Sequence, residues 1–318
     1  MSPPSAPVLT VGETMVLVGS TRPEPLRHST LMSLGMGGAE SNVAIGLRRL
    51  GAPSAWIGRI GTDSAGDLVE RLLRGEDVAT TCLRDDEAPT GLMLKERRST
   101  METRIWYYRA GSAGSRLAPG DVPDEAVRSA ATVHLTGITP ALSSSALELT
   151  LELVERAEKF GVPLSFDLNY RSSLWTPEAA RDVYARIVPR CAVVFAGLDE
   201  AALLGCSGND ADAAARELHA LGARTAVVKR GPDGAVAATE DGMFSAPGVP
   251  VEVRDTVGAG DAFVAGFLAD RIAGRDVPTA LTTAAAVGAY ACTGDGDWEV
   301  LPRRDELDRL TGSEPVTR

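Results

Sequence analysis

Long apolar runs are missing from this 318-residue chain; none approaches the ~20 residues that a membrane-spanning helix needs. The opening MSPPSAPVLTVG also lacks the basic segment and apolar centre of a signal peptide. A soluble, cytoplasmic protein with no membrane partner is expected. Cysteine and histidine are scarce. The four cysteines (Cys82, Cys191, Cys206, Cys292) are widely spaced without a CxxC pair, and the three histidines (His28, His134, His219) are scattered. That pattern gives neither a zinc ligand set nor a disulfide framework, and points to reduced, buried thiols. Positive charge is in deficit: 32 Lys and Arg against 43 Asp and Glu leave a formal net charge of −11. Nucleic acid is therefore not an expected partner, and any anionic ligand must be met by a local cationic pocket. Catalytic signatures are missing too. There is no GxxxxGK[ST] loop, no GxSxG elbow and no HExxH, and the run from Gly258 carries Phe263 where a GxGxxG fingerprint needs its third glycine. Ser143-Ser144-Ser145 has no assignable histidine partner and reads as a helix cap.

What the chain does have is glycine at turns that open helices. Gly258-Ala259-Gly260 stands directly before Asp261 and an apolar run of helical character. Such a turn presents several backbone N–H groups with the positive end of a helix dipole behind them, a site for phosphate or another anion. Asp261 is then a candidate proton acceptor for an incoming hydroxyl, although an aspartate capping a helix fits the same spacing. A second glycine turn is read at Leu34-Gly35-Met36-Gly37-Gly38, opening a helix that ends near Gly51. Gly37 and Gly38 permit close approach of a ligand, and Asn42 lies one turn into that helix.

Between them runs a regular alternation of short apolar strands and amphipathic helices, from Val133 to Lys229, with no internal repeat and no linker that separates two domains. It predicts an α/β fold with a mostly parallel sheet covered on both faces. Ligands of such sheets sit at the carboxyl ends of strands, where Asp167-Leu168-Asn169-Tyr170-Arg171 follows one strand and brings Arg171 within reach. Outside this rhythm, 91–96 and 103–108 read as a hairpin around a polar turn at 97–101. It ends in Trp106-Tyr107-Tyr108-Arg109, which can close over a small polar ligand or form a contact between subunits.

Gly37-Gly38-Ala39-Glu40-Ser41-Asn42 and Asp255-Thr256-Val257-Gly258-Ala259-Gly260-Asp261-Ala262-Phe263 resemble, in order and separation, the two signatures of the ribokinase-like (PfkB) carbohydrate kinases. The resemblance covers essentially the whole chain. Tyr107 to Leu117, Asp167 to Arg171 with Leu174-Trp175, and Gly296-Asp297-Trp298-Glu299 are similar to the 2-keto-3-deoxygluconate kinase branch of that family. The resemblance implies one three-layer α/β domain, 1–318, with a small β-sheet lid built from insertions at about 19–33 and 89–109. It implies ATP and Mg2+ as cofactors, with room for a monovalent cation, and a homo-oligomer formed through the lid.

Residue by residue, the resemblance makes Asp261 the base, and Gly258, Ala259 and Gly260 the anion hole. Lys229, Gly231, Gly234 and Thr256 fall on the nucleotide side, together with Gly258 and Gly260. Gly37, Gly38, Asn42 and Asp297 fall on the sugar side. Tyr107, Arg109 and Arg171 would receive a substrate carboxylate, as planar guanidinium groups suit carboxylates. Two departures stand out. Val16 and Leu17 occupy the region where ribose- and adenosine-type members carry an aspartate. Gly197-Leu198-Asp199-Glu200 lacks the Asn of the family's Asn-x-x-Glu, leaving Glu200 as a metal contact through water. The expected reaction is ATP-dependent phosphorylation of the terminal hydroxyl of 2-keto-3-deoxygluconate. A kinase for fructose or another neutral sugar, and a non-catalytic sensor on the same scaffold, are the rival readings.

Overall fold

The computed structural model describes residues 6–99 and 102–311; residues 1–5 and the last two positions of the expected turn at 97–101 lie outside the described residues. The chain starts in a large sheet with β1 (Val8–Val11), then crosses Gly12-Glu13-Thr14 into β2 (Met15–Ser20) of a smaller sheet. It returns along β3 (Met32–Gly37) into helix α1 (Ala39–Arg49). The large sheet continues with β4 (Ser54–Gly61), α2 (Ser64–Gly75) and β5 (Ala79–Asp85), and the small one with the hairpin β6 (Leu92–Arg97) and β7 (Thr103–Tyr108). Next come α3 (Asp124–Arg128), β8 (Thr132–Thr136), α4 (Ser144–Phe160), β9 (Leu164–Asp167), α5 (Pro177–Ile187) and β10 (Val193–Gly197). After α6 (Leu198–Leu203), α7 (Ala211–Ala220) and β11 (Thr225–Lys229), the hairpin β12 (Ala235–Thr239) and β13 (Gly242–Ala246) leads to α8 (Ala259–Ile272) and α9 (Val277–Ala291). The closing segment is a 3-10 helix, Arg304–Thr311.

The large sheet runs β13-β12-β11-β10-β9-β8-β1-β4-β5, parallel from β11 to β5, with the β12–β13 hairpin antiparallel at one edge. Its strands are apolar on both faces because helices cover both. Val194 and Ala196 of β10 face one core, with Leu149 of α4, Tyr184 of α5 and Leu218 of α7. Phe195 between them faces the other, with Leu47 of α1, Val69 of α2, Phe267 of α8 and Val287 of α9. This period-two division makes three layers.

Local chemistry sets the element ends. Asp63 caps α2 by accepting from Gly66 N–H, and Ser143 caps α4 by accepting from Ala146 N–H, as its sequence suggested. α8 is largely apolar and buried from Ala262 to Asp270, while α9 turns one face, with Leu281, Ala284 and Val287, into the same core and leaves Thr279 and Thr282 exposed. Gly46 of α1 faces Ala265 of α8; a Cβ at Gly46 would stand 2.6 Å from the Ala265 Cβ. The missing side chain lets the two helices that carry the glycine motifs pack directly together. That contact positions the site.

The small sheet runs β3-β2-β6-β7. It takes its residues from more of the chain than the insertions 19–33 and 89–109. Met15–Ser20 and Met32–Gly37 form its first pair, in the register Met15↔Gly37 to Ser20↔Met32. The stretch read as a glycine turn at Leu34–Gly38 is thus a strand that runs straight into α1. Pairing with β2 supplies the backbone partners that local sequence did not announce. β5, with mixed polar exposure at the sheet edge, also has no strong local signal.

Candidate active site

The carboxyl ends of the parallel strands deliver the site's charged groups. Glu13 follows β1, Asp167 ends β9 and Lys229 ends β11. Lys229 Nζ meets both carboxylate oxygens of Asp167 at 2.8 Å. Burial pulls this ammonium's pKa down, but Asp167 first, then Glu200 and Asp261, outweigh that and hold it raised. The ammonium lies at the α8 turn, 3.8 Å from where a Gly260 Cβ would stand.

The turn itself has the shape its sequence suggested. Gly258 is the N-cap of α8 with φ +78°, a left-handed conformation, and no side chain caps the helix. Among the described residues, the N–H groups of Gly260 and Asp261 have no acceptor, whereas the Ala259 N–H, expected in the anion hole, donates to the Thr256 carbonyl at 3.3 Å. These orphan donors and the helix dipole make the turn an anion site.

Asp261, in the first helical turn, accepts a hydrogen bond from Asn42 Nδ2 at 2.8 Å on its Oδ2. This bond joins the first turns of α1 and α8. It leaves Asn42 Oδ1 buried and without a partner among the described residues, ready to accept from a ligand hydroxyl. Burial pushes the Asp261 carboxyl up to about 7. The Asn42 bond opposes the rise, the Asp167 charge adds to it, and Arg171 and Lys229 pull it back. A carboxyl poised near neutrality is suited to proton transfer at physiological pH.

Two clefts meet at this turn. One, of about 620 Å³, is lined by Lys229, Gly231, Gly234, Thr256, Ala259 and Gly260, with an apolar wall from Val249, Pro250, Val251, Ala285 and Ala289. The other, of about 430 Å³, is lined by Gly38, Asn42, Tyr107, Arg109, Arg171, Gly258, Asp261 and Asp297, with Met15, Met93 and Ile105 of the small sheet opposite. An apolar slot ending in a lysine and free amides fits a nucleotide. The second cleft, polar on one side, fits a sugar-sized molecule. Of the residues assigned to the nucleotide side, Lys229, Gly231, Gly234, Thr256 and Gly260 line the first cleft, whereas Gly258 lines the second.

Three more expected site residues stand differently. Gly37 lines neither cleft; a Cβ there would come within 2.4 Å of Asp297 Oδ2, so its role is to leave room for that acid. Arg109 lines the sugar cleft but is already paired, with Nη2 at 2.5 Å and Nε at 2.7 Å from Glu13 Oε2, while Ser112 Oγ donates to Glu13 Oε1. Glu200 is a brace: its two oxygens accept from Tyr170 N–H at 2.8 Å and Gly197 N–H at 2.7 Å. No group of three His, Cys, Asp or Glu residues that could hold a metal occurs among the described residues.

Residues without a sequence assignment also belong here. Glu40 lines the sugar cleft, accepts from Thr136 and Thr139 at 2.7 and 2.8 Å, and has its carboxyl pushed up by burial. Glu13 and Asp167 could have been found by the rule that ligand-facing residues follow strand ends. Asp297, which the sequence did place on the sugar side, is buried beside Lys95, and burial, opposed by Lys95, raises its carboxyl to about 6.

An acid near neutrality, set between an anion-binding turn and a sugar-sized cleft, defines an enzyme that moves a phosphoryl group onto a hydroxyl. The profile of the pfkB family carbohydrate kinases matches residues 6–304, and the chain belongs to that family, whose members work with ATP and magnesium. A 2-dehydro-3-deoxygalactonokinase of Haloferax volcanii is 36% identical over 309 residues, 96% of each chain. A 2-dehydro-3-deoxygluconokinase of Bacillus subtilis is 34% identical over 94% of this chain and 93% of its own. Among solved structures, a PfkB protein from Polaromonas sp. JS666 superposes with a TM-score of 0.86 at 35% identity, over 96% of this chain and 99% of that one. A 2-dehydro-3-deoxygluconokinase from Thermotoga maritima gives 0.90 at 25% identity, over 97% and 99%.

Proposed function

We propose that this kinase phosphorylates the terminal hydroxyl of a 2-keto-3-deoxy sugar acid, 2-keto-3-deoxygluconate, giving 2-keto-3-deoxy-6-phosphogluconate and ADP. The observation that carries the reading is Arg171. It lines the sugar cleft, makes no ion pair among the described residues, and donates only to the Tyr170 carbonyl, at 3.1 Å. In a cleft with Glu13, Glu40, Asp261 and Asp297, an unpaired guanidinium is the group free to receive a carboxylate. Relatives more than 30% identical that act on the gluconate and galactonate keto-deoxy acids support the same class.

In this reading Asp261 accepts the proton of the attacking hydroxyl as that oxygen bonds to the terminal phosphorus of ATP, whose bond to the ADP oxygen breaks. The Gly260 and Asp261 amides and Lys229 meet the charge on the transferring group without reorganising. Magnesium, carried with the triphosphate, supplies further neutralisation. The small sheet acts as a lid on the sugar. Its exposed Trp106, Tyr107 and Tyr108 (39, 45 and 60%) also fit a contact between two copies of the chain, which light scattering tests. ATP as substrate and four free cysteines accord with the cytoplasm.

The test is a coupled ADP-release assay with ATP, magnesium and a panel of keto-deoxy acids and neutral sugars. Turnover on 2-keto-3-deoxygluconate well above that on fructose is expected; turnover on neither acid epimer rejects the reading. A neutral-sugar kinase is the second reading, favoured by Glu13, which holds Arg109 away from any substrate carboxylate.

A further inference from the structure

Lys95 is a strand lysine with only 7% of its surface exposed. It follows Met93 at the alternate position of β6, on the face that packs Met15, Leu17 and Met93 together. Its ammonium stands between two buried carboxylates, 2.5 Å from Asp255 Oδ2 and 3.3 Å from Asp297 Oδ1. Both acids prop the anion-binding turn. Asp255 Oδ1 accepts the Val257 N–H at 3.1 Å, which shapes the loop leading into Gly258. The Asp297 carbonyl oxygen lies 2.0 Å from where a Gly258 Cβ would stand, so it backs the turn from the other side.

The lysine belongs to the small sheet, and both acids belong to the body. Without the ammonium, two carboxylates would face each other in a dry space behind a turn that must receive a phosphoryl group. Like charges so placed repel one another and any anion brought near them. A single cation between them fixes their spacing and removes part of that repulsion.

We infer that Lys95 is a positioning residue for phosphoryl transfer: a cation built into the small sheet that holds Asp255 and Asp297 and, through them, the turn from Gly258 to Asp261. The inference rests on the kinase reading above. The lysine head is a compact ammonium, so shortening the side chain leaves a space that free ammonium ion can enter.

Lys95→Ala, Lys95→Gln and Lys95→Arg test this, with kcat, KM and thermal melts measured in tetramethylammonium buffer with and without ammonium chloride. Lys95→Ala is expected to lose about tenfold to a hundredfold in kcat, the scale of a small misplacement of reacting groups, with a smaller change in KM for the sugar acid. Ammonium restores part of that kcat and raises the variant's Tm, while the wild type responds to neither. Lys95→Gln fills the space without charge, stays slow and is not rescued; Lys95→Arg keeps most of the rate. Wild-type kcat in Lys95→Gln overturns the inference, as does an ammonium response in Lys95→Ala no larger than the wild type's. Where Lys95→Ala does not fold, the kcat of Lys95→Gln decides. An inactive wild type overturns the kinase reading instead, and the ammonium response of the Lys95→Ala melt then decides whether a cation site exists.

Discussion

Asn42 and Asp261, 219 positions apart, meet in a single 2.8 Å hydrogen bond between the first turns of α1 and α8. The bond favours the charged form of the acid and holds down a carboxyl that burial lifts to about 7. Proton acceptance needs the ionised form, so kcat/KM should fall by about tenfold per pH unit on the acid side of pH 7. Asn42→Leu removes the donor, raises the Asp261 pKa and moves that limb to higher pH. A pH–rate profile in which the limb stays in place or moves to lower pH contradicts the assignment.

Asp261→Asn should lower kcat by about 10²- to 10⁴-fold, the range of a general base, and should also change stability in a stated direction. The folded carboxyl titrates near 7, above its ordinary 3.8. Between those values the native state holds more protons than the unfolded chain, so wild-type stability declines as pH rises through that window. The asparagine carries no such loss. Its Tm should exceed the wild type's at pH 8, and the gap should close towards pH 4. A variant that melts earlier than the wild type at pH 8 counts against a buried, proton-holding Asp261.

The two arginines of the sugar cleft should separate by phenotype. Arg171 is exposed and unpaired, so Arg171→Ala should leave Tm near the wild-type value while raising KM for an acid substrate. A lost charge-assisted hydrogen bond is worth about 1.5–3 kcal/mol, or roughly tenfold to over a hundredfold. Arg109→Ala strands Glu13, which is only 2% exposed, and breaking a buried pair in this way costs about 3–5 kcal/mol. Its Tm should drop whatever the substrate, and Arg109→Ala/Glu13→Gln should recover part of the drop. Equal melting temperatures for Arg109→Ala and Arg171→Ala would show that the Glu13 pair carries no structural weight.

These contrasts also mark how far the sequence could be read. Gly258 to Asp261 was legible because the anion site is local: a glycine turn, a helix and an acid within four residues. The three-layer sheet was legible because strand and helix periods alternate cleanly from Val133 to Lys229. The state of Arg109 was not, because Glu13 lies 96 positions away and nothing in either segment names the other. Lys95 had a readable face on its strand, but not the two acids opposite it. β3 was hidden because Gly35 and Gly37 are turn residues by local preference. Pairing with β2 and the space required by Asp297 hold them extended instead.

Gly258 and Gly260 lie two residues apart and should respond differently to a single methyl group. At Gly258 the φ of +78° is one that L side chains rarely adopt, at a cost of about 1–2 kcal/mol. A Cβ there would also stand 2.0 Å from the Asp297 carbonyl oxygen, backbone that cannot swing aside. Gly258→Ala must therefore displace either the turn or the segment behind it, and both Asp261 and the free amides move with the turn. Its kcat should fall by about 10²-fold. At Gly260 the nearest atom to an added Cβ is Lys229 Nζ at 3.8 Å, an ordinary contact with a flexible side chain. Gly260→Ala should fold normally and place its methyl in the nucleotide cleft, raising KM for ATP while KM for the sugar acid stays unchanged. Steady-state kinetics with each substrate varied in turn distinguishes the two. A Gly260→Ala variant that changes only the sugar KM would place the nucleotide elsewhere than in the 620 Å³ cleft.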